Sequence, residues 1–187
     1  VYLPPEGILA GEVWSLAEWV RDYGALTYEA SSEVMAVMGL MSAADMVQAY
    51  PMMRVRAGAR MKARALPSPI SPSGLAHGDV AVHQIQQPYT RFFAMQEADI
   101  SVPRFDGGAA QRMFRAAYVG TDAAIVLPYD PKTDRVLLVE QFRFGPFLRD
   151  DPNPWLMEPI AGRIDTGETP EATAIRETQE EAGLTLR

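Results

Sequence analysis

The chain has 187 residues, 48% of them hydrophobic and none cysteine. That is enough for a real core, argues against wholesale disorder, and excludes disulfides, thiolate metal sites and a cysteine nucleophile. A net charge of −7 argues against nucleic acid as a partner, and no apolar run is long enough to span a bilayer.

The start, Val1-Tyr2-Leu3-Pro4-Pro5, has neither a basic region nor a long apolar stretch, so no signal peptide is expected. With the missing cysteines this makes a cytoplasmic setting the expectation. The charge is uneven. Arg54, Arg56, Arg60, Lys62 and Arg64 fall in a stretch without acids, whereas nine acids and three basic residues follow from Asp150 onward.

The N-terminal third reads as helical. Ser15-Leu16-Ala17-Glu18 has the Ser-x-x-Glu capping pattern, just before Trp19 and Val20. Ser32-Glu33 predicts the start of a second short helix through Val34, Met35, Val37 and Met38, stopped by Gly39. Ser42 to Asp45 opens a third, ending near Tyr50. Pro51 suits the first turn of a fourth, which runs to about Ala65. The methionines of this region read as helix-packing core.

Leu66-Pro67-Ser68-Pro69-Ile70-Ser71-Pro72-Ser73-Gly74 cannot continue a helix and offers no core, so a linker is expected over residues 66–78. Strands are expected from Val80, over Arg91–Val102 and over Met113–Val119. Asp122–Tyr129 and Arg135–Phe142 flank the turn residues Asp130-Pro131-Lys132-Thr133-Asp134, which predicts a hairpin. Trp155–Ile160 is a further expected strand. Thr169-Pro170 then starts a helix that Gly183 ends. His77 and His83 read as surface residues, because a spacing of six suits no shared face at close range.

On that last helix Glu177, Glu180 and Glu181 stand at i, i+3 and i+4 and are expected to share a face, leaving Ala174, Ile175 and Ala182 to pack on a sheet. Like charges at this spacing repel by roughly 0.2–0.5 kcal/mol per pair. Acids near a helix C-terminus oppose the macrodipole by roughly 0.3–1 kcal/mol each. A bound cation would reverse both penalties, and carboxylate oxygens are what Mg²⁺ prefers. The wider pattern Gly162-x5-Glu168-x7-Arg176-Glu177-x2-Glu180-Glu181-x-Gly183 fixes seven positions. At residue frequencies of roughly 7%, chance agreement at one start is on the order of one in 10⁸.

This segment resembles the signature of the Nudix hydrolases, which cleave nucleoside diphosphates linked to another moiety. The resemblance implies an α/β fold, an α/β/α sandwich around a mixed sheet, over residues 79–187 and preceded by a small helical region. It implies Mg²⁺, or Mn²⁺, held by Glu177, Glu180 and Glu181 with the backbone carbonyl of Ala161. Arg176 would orient the glutamates, and Glu168 would be structural. Thr178 departs from the bulky aliphatic usual at its position, yet is small enough to face the core.

The flanks Val136–Arg143 and Asn153–Gly162 resemble the ADP-ribose pyrophosphatase branch, which implies substrate contacts from Arg143, Glu158 and Arg115. The acid that often follows the last of these is Ala116 here. The implied reaction is Mg²⁺-dependent hydrolysis of ADP-ribose to AMP and ribose 5-phosphate. The alternatives are another nucleoside-diphosphate sugar, or a Nudix-like binding module without turnover. A separate activity in residues 1–65 is disfavoured, because no nucleophile–base pair or metal cluster stands there. The branch further implies a homodimer through Val80–Val102. It also implies strands and a helix after the box, so the sandwich is expected to be incomplete at its C-terminal end, with the catalytic base on a loop in that part.

The whole chain resembles tellurite-resistance-associated proteins that join a γ-glutamylcyclotransferase-like domain to a Nudix domain. The resemblance is carried by Gly11-Glu-Val-Trp-Ser-Leu16 and Tyr50-Pro-Met-Met-Arg-Val-Arg-Ala57. Residues 1–65 would be their connecting region, the tail of the first domain.

Overall fold

A computed structural model of the chain describes residues 14–67 and 72–186. Residues 11–13 of the first connecting-region segment and 68–71 of the expected linker lie outside the described residues. Two helical stretches come first. Ser15 caps α1 (Leu16–Trp19), its hydroxyl accepting from Glu18 N–H at 3.4 Å. A π-helical turn (Val20–Gly24) leads straight into α2 (Ala25–Ala36). The second short helix expected at Ser32 therefore does not start there. Gly24 holds ordinary helical angles and breaks nothing, and the neighbouring Ser31 turns its hydroxyl back onto Thr27 C=O at 2.7 Å. The helix stops before Gly39, which has φ +80°.

The third and fourth expected helices are one, α3 (Ala43–Ala65), with Pro51 inside it. Ser42 caps it, accepting from Asp45 N–H at 3.1 Å. A proline inside a helix forfeits one backbone hydrogen bond. Burial on both sides of Pro51 offsets that loss: Ala49, Met52, Met53, Arg56 and Ala57 are all buried. Val37, Ala49 and Met53 form the core between α2 and α3, with Val34, Met41, Met46 and Tyr50 packed against it. Met35 and Met38 instead face solvent.

The seam is also ionic. Arg56, 1% exposed, donates to the buried Glu33 from Nη2 at 2.7 Å and from Nε at 3.0 Å. Arg60 bridges Glu33 and Glu29 at 2.6 and 2.8 Å, and Arg64 reaches Glu29 at 2.7 Å. Three of the five basic residues thus complement two acids on α2, and Arg64 first, then Arg60, hold the Glu29 carboxyl below its ordinary range.

A 3₁₀ turn (His77–Asp79) precedes an antiparallel meander of β1 (Ala81–Thr90), β2 (Ala94–Val102) and β3 (Gln111–Val119). Arg91–Phe93 form the turn, so the expected long strand begins three residues later. His83 is exposed, 2.7 Å from the Ser101 hydroxyl.

The next segments are short. β4 (Ala123–Val126) pairs with β9 (Ile160–Arg163), β5 (Tyr129–Asp130) with β6 (Arg135–Val136), and β7 (Val139–Phe142) with β8 (Trp155–Glu158). The expected hairpin survives only at its tip, because Pro128 ends the first arm and β4 and β7 take other partners. Pro159 likewise divides the expected strand 155–160, since it has no N–H to place in a ladder. A short helix α4 (Phe144–Leu148), unsignalled in the sequence, joins β7 to β8.

The fold is α/β with a helical region in front, and all pairings among the described residues are antiparallel. Among the described residues no helix is long and apolar enough to cross a membrane.

Candidate active site

The last helix, α5 (Pro170–Ala182), forms as its end signals direct. Thr169 accepts from Ala172 N–H at 3.2 Å, Pro170 fills the first turn, and Gly183 closes the helix at φ +65° with its N–H on Gln179 C=O. α5 lies on β4 and β9. Thr178 faces the core as expected, and of the expected packing residues Ala174 and Ala182 are half-buried while Ile175 is not. Thr173 and Thr178 are fully buried, whereas Ile175 is exposed. Thr178 satisfies its hydroxyl on Ala174 C=O at 2.7 Å, which lets a polar residue stand in the core. Thr173 donates to Glu168 at 2.8 Å.

The loop between β9 and α5 brings Glu168 back onto the helix. Its carboxylate accepts from Arg176 Nε at 2.9 Å and Nη2 at 3.0 Å, from Thr173, and from Asp165 N–H at 3.2 Å. The Arg176 guanidinium first, then these other donors, pull the Glu168 carboxyl down to about 2. Arg176 carries its Nη1 to Glu177 at 2.6 Å and Glu180 at 3.2 Å, and its Nη2 to Arg163 C=O at 3.1 Å. Hydrogen bonds to Glu168 and Glu177 push its pKa up.

Glu177 leans over β9 at Gly162. A β-carbon added there would fall well inside 3.0 Å of Glu177 Cγ, Cδ and Oε1, closer than real β-carbons come. Only glycine leaves room for this carboxylate. Glu181 takes a different direction, accepting from Gln141 Nε2 at 2.5 Å and from Ala161 N–H at 3.4 Å.

The three glutamates therefore share a helix but not a partner, and among the described residues no three acids or histidines form a ready-made metal cage. The reason is local partners: the Arg176 guanidinium draws Glu177 and Glu180, while the Gln141 amide hydrogen-bonds Glu181. As a donor set, three carboxylates beside a strand whose backbone lies bare at Gly162 still fit a hard divalent cation.

Arg143 and Glu158 are brought together. They form an ion pair through Arg143 Nη2, with Nε donating at 2.9 and 3.0 Å to the two carboxylate oxygens. Each moves the other's pKa, Glu158 down and Arg143 up. Arg115 stands elsewhere, in the meander opposite Ala98, with its guanidinium on Phe114 C=O at 3.0 Å. Sequence reasoning passed over Gln141 and the packing of Glu177 on Gly162. Gln141 stands 40 residues from Glu181, beyond any local pattern.

The chain is 37% identical over 111 residues to the ADP-ribose pyrophosphatase of Haemophilus influenzae, covering 58% of this chain and 51% of that protein. It is 33% identical over 78 residues to the GDP-mannose pyrophosphatase of Yersinia enterocolitica, covering 42% and 40%. Among solved structures it is similar to a crystal structure of an ADP compounds hydrolase, with a TM-score of 0.46 and 20% identity over 58% of this chain and 54% of that one. The chain spans about half the length of the curated relatives it matches. Residues 120–187, from the glycine before β4 to beyond α5, match the family model described as NUDIX domain.

Proposed function

We propose that this chain supplies the acidic helix of a hydrolase that cleaves the diphosphate of a nucleoside diphosphate linked to a sugar, with ADP-ribose as substrate. The observation that carries it is the Glu177 carboxylate seated on the bare backbone of Gly162 and held by Arg176, with Glu180 and Glu181 one turn on. Similarity to an ADP-ribose pyrophosphatase supports the substrate.

Glu177, Glu180, Glu181 and the Ala161 carbonyl would hold a divalent cation, Mg²⁺ or Mn²⁺. Such an ion polarises phosphoryl oxygens and activates the attacking water. Arg176 aims two of the three acids. Arg143, a planar fork suited to paired phosphate oxygens, would take the diphosphate, with Glu158 fixing its guanidinium. Water adds to one phosphorus and the bridging oxygen leaves, so ADP-ribose and water give AMP and ribose 5-phosphate. Arg115 is proposed for the substrate's far end. It stands on the β1–β2–β3 meander, a sheet separate from the β4–β9 pair on which α5 lies.

The test is AMP release from ADP-ribose with Mg²⁺, beside Glu181→Gln. Metal-dependent release that collapses in the variant is expected. Turnover of GDP-mannose in place of ADP-ribose would keep the chemistry and move the substrate, a reading the second relative favours. No turnover of either would sink the enzyme and leave a binding module.

A further inference from the structure

The helix α3 does more than pair with α2. Lys62 Nζ donates to the Glu168 backbone carbonyl at 2.9 Å, across 106 residues of sequence. One turn earlier, Gly58 faces Thr166, and a β-carbon there would already touch Thr166 Cγ2 and Oγ1 at 3.5 Å. The Thr166 hydroxyl donates to Arg54 C=O at 3.4 Å. The void left between α3 and this loop is about 10 Å³, roughly the limit for a single water.

A second route runs through the turn between β1 and β2. The buried Arg56 donates to Phe92 C=O at 3.1 Å and to Thr90 Oγ1 at 3.0 Å. The Phe92 ring in turn lies under the Arg163 guanidinium, 5.4 Å from centroid to carbon. Both routes end on residues that Arg176 also holds, through their other groups: the Arg163 carbonyl and the Glu168 carboxylate.

We infer that α3 is a positioning element for the acidic helix, with Lys62 and Phe92 clamping the 163–169 loop so that Glu168 and Arg163 hold Arg176, and Arg176 holds Glu177 and Glu180. This rests on the proposed metal-binding role of those acids, but not on turnover. The clamp acts through Arg176, so its loss lets the acids wander without removing a ligand. Cation binding weakens, and the substrate contacts at Arg143 are untouched.

The test uses the whole chain as Lys62→Met/Phe92→Leu, with Lys62→Arg/Phe92→Tyr as the conservative pair. Arg64→Met is the control, since Arg64 sits on the same helix but pairs with Glu29. Mg²⁺ binding is read by calorimetry, and amide exchange by mass spectrometry over residues 163–182. The first pair should weaken Mg²⁺ binding about three- to tenfold and speed exchange in the loop. The conservative pair should restore both, and the control should match the parent. In turnover, the Mg²⁺ concentration for half-maximal rate should rise while KM for ADP-ribose holds. Unchanged Mg²⁺ binding, or unchanged loop exchange, overturns the clamp. A parent protein that binds Mg²⁺ but turns nothing over overturns the hydrolase reading, while the clamp is still judged on binding and exchange.

Discussion

Gly162→Ala isolates the geometry of the site from its chemistry. Gly162 is not among the glycines at positive φ, so alanine meets no backbone strain there. The requirement is space. An added β-carbon collides with Glu177 Cδ, Oε1 and Cγ, so the carboxylate must retreat by roughly 1 Å to reach even the tightest ordinary contact. Retreat breaks or lengthens its 2.6 Å bond from Arg176, a loss of about 1–2 kcal/mol for a partly exposed charged pair. Replacing glycine inside a strand returns about 0.5–1 kcal/mol. Global stability should therefore change by about 1 kcal/mol or less, whereas a reacting group misplaced by about 1 Å costs on the order of 10²-fold in rate. AMP release and urea unfolding measured together check this, with Gly78→Ala as the control, since nothing lies within 4 Å of a β-carbon there. A Gly162→Ala protein with rate and Mg²⁺ response close to the parent's would refute the argument that Glu177 depends on that bare backbone.

Arg56→Met should cost about 3 kcal/mol in urea unfolding, because it strands the buried Glu33 with Arg60 as its remaining partner. A loss under about 1 kcal/mol would show that Arg60 alone satisfies Glu33. Glu168 has its pKa lowered from 4.5 to about 2 in the folded state, so its contribution is complete above about 4.5 and disappears as pH falls toward 2. Glu168→Gln should flatten that part of an acid-unfolding curve, and a variant curve parallel to the parent's between pH 4.5 and 2 would contradict it.

Where residues close in sequence decide the structure, the sequence was legible. The caps Ser15, Ser42 and Thr169 and the stop at Gly183 all stand where their chemistry predicts. Prolines were misread in both directions. Pro51 has the same fixed φ whether it opens a helix or sits within one, and burial at Met52 and Met53 decides the matter. Pro128 and Pro159 divide segments that hydropathy alone would join. The acids at 177, 180 and 181 were legible as a set. The residues that aim them were legible only in part, because Arg176 is a neighbour while Gln141 and Lys62 arrive from distant elements.

The acidic helix end also shows how a stability argument changes when its counter-charge is found. In the sequence, three acids at i, i+3 and i+4 beside a helix C-terminus look like a penalty that only a bound cation relieves. In the structure one guanidinium already touches two of them, and Gln141 and a backbone N–H hold the third. The cost of the cluster is therefore weaker evidence for a metal than its spacing suggests. The stronger evidence is what Arg176 cannot explain. A salt bridge to Glu177 needs no glycine at 162, yet the carboxylate lies where any other side chain would meet it. An acid pressed against bare strand backbone, with two more acids within a turn, is more than its ion pair to Arg176 requires, and it is the placement that the proposed oxygen coordination would use.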